Sequence, residues 1–294
     1  MSSSSRKGLE PKVGDRESGK YDLRLTTHES LIYLNGSYLP PSEARLPVAD
    51  RGLAYGDGVF TTMKVSGGAP VFLERHLARL VRDAAAIRLV APVEEVETAC
   101  LGLVSRLGME AGVLKAVLTR GLGPRGLSTR NASKPSLIVS ASALPEPRPP
   151  LRVISVPDER GPLVAHKTLN YLPNILALRL AEEAGCEEAV FVQGGLLLEA
   201  TVSNLIGEVE GRLLTPPLGG RVLGGVVREV LLEEGVVGEG ELPADTWGPL
   251  YCTNAVRGVE PIAGLDGRPL RLDTEKQSLL EEALTRRARL ARAD

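Results

Sequence analysis

Lys167 stands between an apolar, strand-like run at residues 163–165 and a helical pattern that starts at Leu169, with His166, Thr168 and Asn170 as neighbours. Partial shielding from water at such a junction favours the neutral amine and suits it to Schiff-base chemistry. A solvated lysine is the plain alternative, because most lysines are exposed. Glu199 ends the apolar run Leu196-Leu197-Leu198 and precedes Ala200-Thr201-Val202-Ser203-Asn204. A buried carboxylate there needs a partner and could accept a hydrogen bond from a protonated ring nitrogen; on an edge strand it would face water. Gly224-Gly225-Val226-Val227-Arg228 opens a helix after a glycine-rich loop. Unpaired amides and the helix dipole make that start an anion site suited to a phosphate, although glycine before a helix also marks an ordinary tight turn. Arg79 lies off the apolar face of a helix and offers a planar fork to the same phosphate, or simply a solvated charge. Arg125, in the loop Thr119-Arg120-Gly121-Leu122-Gly123-Pro124-Arg125-Gly126-Leu127-Ser128, could capture a substrate carboxylate or merely keep a loop soluble. Residues 50–60, DRGLAYGDGVF, are too dense in glycine and paired charge for an ordinary connector, but residue types alone do not reveal their chemistry.

The elements that must position these groups follow from hydrophobic spacing. An apolar run at 31–34, the Asn35-Gly36 turn signal and Tyr38-Leu39 predict a β-hairpin. Strands are expected at 59–65 and, after Ser66-Gly67-Gly68, at 70–73. The returning strand runs into a helix that keeps Leu73, Leu77, Leu80, Val81, Ala84 and Ile87 on one face. Strands at 113–119 and 136–144 flank the basic loop 120–134. Residues 145–150, Pro-Glu-Pro-Arg-Pro-Pro, read as a stiff linker between a first domain, 28–144, and a second, 151–294. The second half predicts strands at 151–156, 189–192, 196–200, 205–209 and 250–254, with helices at 169–184, 225–233 and 274–291.

Composition narrows the function. A chain of 294 residues is about two domains long at roughly 150 residues each. Its 32 glycines and 21 prolines exceed what a helical bundle carries, so a mixed α/β fold rich in strands and turns is expected. A net charge of −2, no basic stripe and few aromatics argue against nucleic acid and for a small-molecule ligand. Cys100, Cys186 and Cys252 are odd in number and lack CxxC spacing, which argues against a disulfide framework or zinc site and fits a cytoplasmic protein. Residues 1–27 mix serine with alternating charge and contain no apolar signal core, so they read as a mobile tail. No run approaches the roughly 20 apolar residues a membrane span needs.

Taken in order, DRGLAYGDGVF from Asp50, ERHLARL from Glu74, TRGLGPRG from Thr119, HKTLNYL from His166, EATVSNL from Glu199 and VLGGVVRE from Val222 closely resemble the class IV pyridoxal-phosphate family. That family contains branched-chain aminotransferases, D-amino acid aminotransferases and aminodeoxychorismate lyases, and the likeness runs over residues 31–262. It implies a two-domain fold with pyridoxal 5'-phosphate between a small N-terminal α/β domain and a larger, β-rich C-terminal one. It further implies that Lys167 is the Schiff-base lysine, that Glu199 partners the pyridine nitrogen beside Ser203 and Asn204, and that Arg79, the Val226 and Val227 amides and the Asn254-Ala255 turn bind the phosphate. No metal is implied, and a homodimer is.

Within the family, Phe60 is followed by Thr61-Thr62, where aminotransferases place an acid, and this resembles the lyase, as do residues 112–131 and Cys252-Thr253-Asn254-Ala255. Leu127 stands where D-amino acid aminotransferases carry a histidine. Tyr171 is similar instead to a tyrosine near the lysine of some aminotransferases. The resemblance therefore implies a lyase converting 4-amino-4-deoxychorismate to 4-aminobenzoate and pyruvate, with Arg125 on a substrate carboxylate and Thr62, Lys64 and Tyr171 as further contacts. The alternatives are an aminotransferase for branched-chain L- or D-amino acids with 2-oxoglutarate, and a cofactor-free binding protein on the same scaffold.

Overall fold

The computed structural model describes residues 31–291, so the expected tail at 1–27 lies outside the described residues. Strands β1 (Ile32–Leu34) and β2 (Ser37–Leu39) form the expected hairpin, and Asn35 and Gly36 both take the positive φ that this two-residue turn requires. They join β3 (Gly58–Ser66), β4 (Ala69–Pro70), β5 (Ala111–Thr119) and β6 (Ser136–Ser142) in one antiparallel sheet, ordered β2-β1-β6-β5-β3-β4. Helices α1 (Arg51–Tyr55), α2 (Leu73–Ala86) and α3 (Val93–Leu107) accompany it. Met63, Val65, Leu77, Leu80, Leu103 and Leu114 fill the core between that sheet and its two long helices.

The second half builds a larger mixed sheet from β7 (Leu151–Pro157), β8 (Glu188–Gln193), β9 (Leu196–Ala200), β10 (Asn204–Val209), β11 (Arg212–Thr215), β12 (Gly238–Glu239), β13 (Leu242–Pro243), β14 (Leu250–Asn254), β15 (Gly258–Leu265) and β16 (Arg268–Pro269). Helices α4 (Leu172–Glu183), α5 (Val226–Glu233) and α6 (Thr274–Leu290) pack on it. The mixed α/β expectation holds. Residues 143–150 pass between the sheets without regular structure, and Arg148 ties them down by two hydrogen bonds to Glu260, at 2.7 and 2.9 Å.

Several sequence expectations need correction. The returning strand at 70–73 stops at Pro70, and Leu73 already belongs to α2. Val81 leaves the apolar face and is 41% exposed. Residues 163–165 are not strand-like: Pro162–Ala165 forms a single 3-10 turn, which a proline at its start favours because it has no amide to satisfy. The next helix begins at Leu172 rather than Leu169, because residues 167–169 are engaged elsewhere. Phe60 N–H donates to the Lys167 carbonyl at 2.9 Å, and Leu169 N–H donates to the Gly58 carbonyl at 3.0 Å. The lysine segment thus lies as a short extra bridge on β3 of the first sheet. Helix α3 went unanticipated, its apolar spacing interrupted by Glu94, Glu95 and Glu97.

The DRGLAYGDGVF segment builds the corner that aims β3. Asp50 caps α1 by accepting from the Gly52 amide at 2.8 Å, and also accepts from Thr119 and Ser136 hydroxyls at 2.9 Å each. Asp57 accepts from Arg51 and Arg120, which hold its carboxyl below the usual range against the opposing effect of burial. Gly58 packs so closely on β5 that a Cβ would fall 2.5 Å from the Leu118 carbonyl oxygen.

Candidate active site

Where the lysine bridge, α2, α5 and the ends of β9 and β14 converge, a cavity of about 930 Å³ opens. Lys167 projects into it, and its Nζ donates to the Tyr171 hydroxyl at 2.8 Å. The ammonium also lies 4.5 Å from the Phe60 ring centroid. Burial, reinforced by Arg79, lowers the Lys167 amine to about 7, while Glu199 and Asp83 pull the other way. Tyr171 is pushed upward by burial, so its hydroxyl stays protonated and available as a hydrogen-bonding partner.

Glu199, at the end of β9, is 5% exposed. It accepts from Arg160 Nη1 at 2.7 Å, from the Leu223 amide at 2.9 Å and more distantly from Asn204. Burial pushes its carboxyl up, and Arg160, the Leu223 amide and Lys167 pull it back toward the charged form. Arg160 is itself buried, held by Asp158 at 2.8 Å and stacked 3.6 Å from the Phe191 ring centroid. Sequence reading missed Arg160; the Asp158–Arg160 charge pair directly after a buried strand was the available signal.

Arg79 is also buried, contrary to its placement on the outer face of its helix. Its Nη2 donates to Thr61 Oγ1 at 3.0 Å, and Thr61 in turn pairs with His76 Nδ1 at 2.8 Å. Arg79 Nε is buried without a partner, as is Thr253 Oγ1. Both residues line the cavity, facing the start of α5, where Gly225 provides no side-chain cap for the Val226 and Val227 amides. A Cβ on Gly225 would fall 2.0 Å from Asn204 Oδ1, so backbone approaches closely there. Asn204 Nδ2 donates to the Leu223 carbonyl at 2.8 Å, and Asn254 Nδ2 donates to Ser203 Oγ at 3.0 Å. The cavity thereby gathers Lys167, Glu199, Arg79, Ser203, Asn204, Val226, Val227, Asn254 and Ala255, with Thr62 and Tyr171 on its wall.

Two expected residues stand outside this lining. Lys64 is on the same face of β3 as Thr62 but farther along, and Lys115, opposite Thr62 in register, takes the cationic place in the wall. Arg125 is exposed in a loop braced by Arg51 N–H bonds to the Gly126 and Leu127 carbonyls and by the Gly126 amide on Tyr55.

Residues 58–265 match the amino-transferase class IV family. The chain belongs to that family. Its relatives include a Methanocaldococcus jannaschii protein provisionally named as a branched-chain-amino-acid aminotransferase, 33% identical over 81% of this chain and 88% of the relative. A D-alanine aminotransferase of Bacillus licheniformis is 28% identical over 81% and 89%. Among solved structures, 4-amino-4-deoxychorismate lyase from Pseudomonas aeruginosa superposes with a TM-score of 0.72 and 30% identity, covering 86% of this chain and 97% of that one.

Class IV aminotransferases depend on pyridoxal phosphate and bind amino and oxo acids. The residues present fit that cofactor. The unpartnered Arg79 Nε and Thr253 Oγ1 beside an uncapped helix start suit a phosphate, a buried carboxylate suits a protonated ring nitrogen, and a shielded lysine amine suits a carbonyl. Among the described residues, no helix is long and apolar enough to cross a membrane.

Proposed function

We propose that this class IV enzyme is a lyase releasing 4-aminobenzoate and pyruvate from 4-amino-4-deoxychorismate. The observation that carries this reading is the β3 wall. Thr61 turns away to hold Arg79 and His76, and Thr62 presents a neutral hydroxyl opposite Lys115. Among the described residues Lys115 has no carboxylate ion-pair partner, and its ammonium lies over Phe60 at 4.9 Å. A wall with a free cation and no acid suits a substrate carrying two carboxylates.

When bound, pyridoxal phosphate supplies an electrophilic carbonyl and a ring that absorbs the electron pair left by a departing proton. Arg79, Thr253 Oγ1, the Val226 and Val227 amides and the Asn254-Ala255 turn hold the phosphate. Glu199, supported by Arg160, holds a proton at the ring nitrogen. Lys167 Nζ, aligned by Tyr171, takes the proton from the substrate ring carbon that bears the amino group, and pyruvate leaves from the neighbouring carbon.

The second reading is an aminotransferase, favoured by the Lys167–Tyr171 hydrogen bond and by the names of the relatives. A lyase regenerates its cofactor every turnover, whereas an aminotransferase stalls without an oxo acid. With 4-amino-4-deoxychorismate alone, sustained 4-aminobenzoate and pyruvate formation is expected. Glutamate formation from branched-chain L- or D-amino acids and 2-oxoglutarate, with no 4-aminobenzoate, would establish the aminotransferase instead.

The enzyme is also proposed to work as a homodimer. Leu172, Ile175, Leu176 and Leu180 form an exposed stripe along α4, the helix that follows the reactive lysine, each between 52% and 63% exposed. Such a stripe is costly to leave in water. A second copy covering it would also leave the exposed Arg125 loop free to reach a neighbouring cavity. Sedimentation should give twice the monomer mass, and a Leu176→Lys, Leu180→Lys variant should shift to monomer.

A further inference from the structure

Asp83 lies one helical turn after Arg79 on α2, is 1% exposed, and spends both carboxylate oxygens on the lysine segment. Oδ2 accepts from the Lys167 backbone amide at 3.1 Å, and Oδ1 meets His166 Nδ1, also at 3.1 Å. A carboxylate only accepts hydrogen bonds, so this contact places a proton on Nδ1 and makes Nε2 the ring nitrogen at which a proton can be exchanged. His166 lines the cavity, its side chain is 27% exposed, and among the described residues Nε2 has no hydrogen-bond partner. The other charged groups around the pair are Arg82, 3.5 Å from Asp83 Oδ1 and half exposed, Arg79 one turn earlier, and Lys167 next in the chain.

We infer that Asp83 and His166 form a proton-accepting dyad at the rim of the active cavity. Nε2 takes up a proton released in the cavity, the resulting imidazolium is stabilised by Asp83, and the proton then passes to solvent. No other bond changes. Asp83 is the positioning residue of the pair, and by holding the Lys167 backbone as well it hangs the reactive lysine on the helix that carries Arg79. The inference rests on Lys167 being the reactive amine and is independent of whether the reaction is a lyase or an aminotransferase one.

Asp83→Asn tests the tautomer separately from the packing. Its carboxamide oxygen can still accept from Lys167 N, but its amide group donates to His166 Nδ1 and moves the imidazole proton to Nε2. We expect kcat to fall roughly 10²-fold, the scale of one acid–base group, with the acid limb of the pH–rate profile displaced. Melting temperature and borohydride-fixed cofactor mass on Lys167 should be unchanged. His166→Asn, which keeps a donor toward Asp83 but cannot titrate, should lose activity to the same extent, and added imidazole should partly restore His166→Ala. Wild-type kcat and an unchanged acid limb in His166→Asn would overturn the dyad. Failure of the wild-type protein to fix cofactor on Lys167 would instead overturn the reading on which it rests.

Discussion

Replacing Lys167 by alanine is expected to lower turnover by on the order of 10⁴-fold or more, the scale at which removal of a covalent or proton-transferring group is felt in other enzymes. The amine has two duties under the proposed function, capturing the cofactor carbonyl and moving a substrate proton, and no neighbour can take over both. Tyr171 stays protonated, and Lys115, though it shares the Phe60 ring with Lys167, is carried by β5 rather than by the lysine bridge. The same residue makes a pH prediction. Burial first, then Arg79, lower the Lys167 amine from 10.5 to about 7. The neutral, nucleophilic form therefore predominates above about pH 7 and is lost as pH falls through that value. Cofactor capture by the cofactor-free protein, followed by absorbance, should be half-maximal near pH 7. A midpoint near the ordinary lysine value would mean that the amine is solvated.

Glu199→Ala should have the second-largest effect, and it should appear in stability as well as rate. The Glu199–Arg160 pair is almost fully buried, with side-chain exposures of 7% and 3%. Removing the carboxylate leaves a buried guanidinium opposed only by Asp158, and breaking a buried pair in this way costs about 3–5 kcal/mol. A double Glu199→Leu, Arg160→Leu variant should be less destabilised than Glu199→Leu alone, because no orphaned charge remains; urea melts measure the difference. Glu199→Gln keeps an acceptor for the Leu223 amide but carries no charge. Its kcat is expected to fall by roughly 10²–10³-fold, as when one preorganised electrostatic partner is lost, while melting changes far less. Equal melting curves for Glu199→Ala and wild type would show that water reaches Arg160.

Residue type and local spacing were sufficient for much of this protein. The Asn35-Gly36 hairpin, β9 and β14 at their stated bounds and the start of α5 were all legible, because turns, alternating strands and glycine-rich helix starts depend on neighbours in the chain. Motif order added the family, since several spaced segments constrain one another where a lone lysine does not. What only the tertiary structure decided were pairings between distant segments. The tract at 163–169 reads locally as strand then helix, yet its amides and carbonyls go to a 3-10 turn and to β3, because backbone groups entering a buried cleft must find partners across it. Arg79 reads as a surface arginine, since its helix shows the sequence only one apolar face; the second buried face exists because Thr61 and the cavity lie against it. Arg160, Asp83 and His166 acquire meaning only through partners 39, 84 and 83 positions away. Arg125 has the right chemistry for a carboxylate, but its loop is anchored by Arg51 and Tyr55 outside the cavity lining. Side-chain chemistry is a property of the residue; its place in a site is set by the long-range packing that buries it.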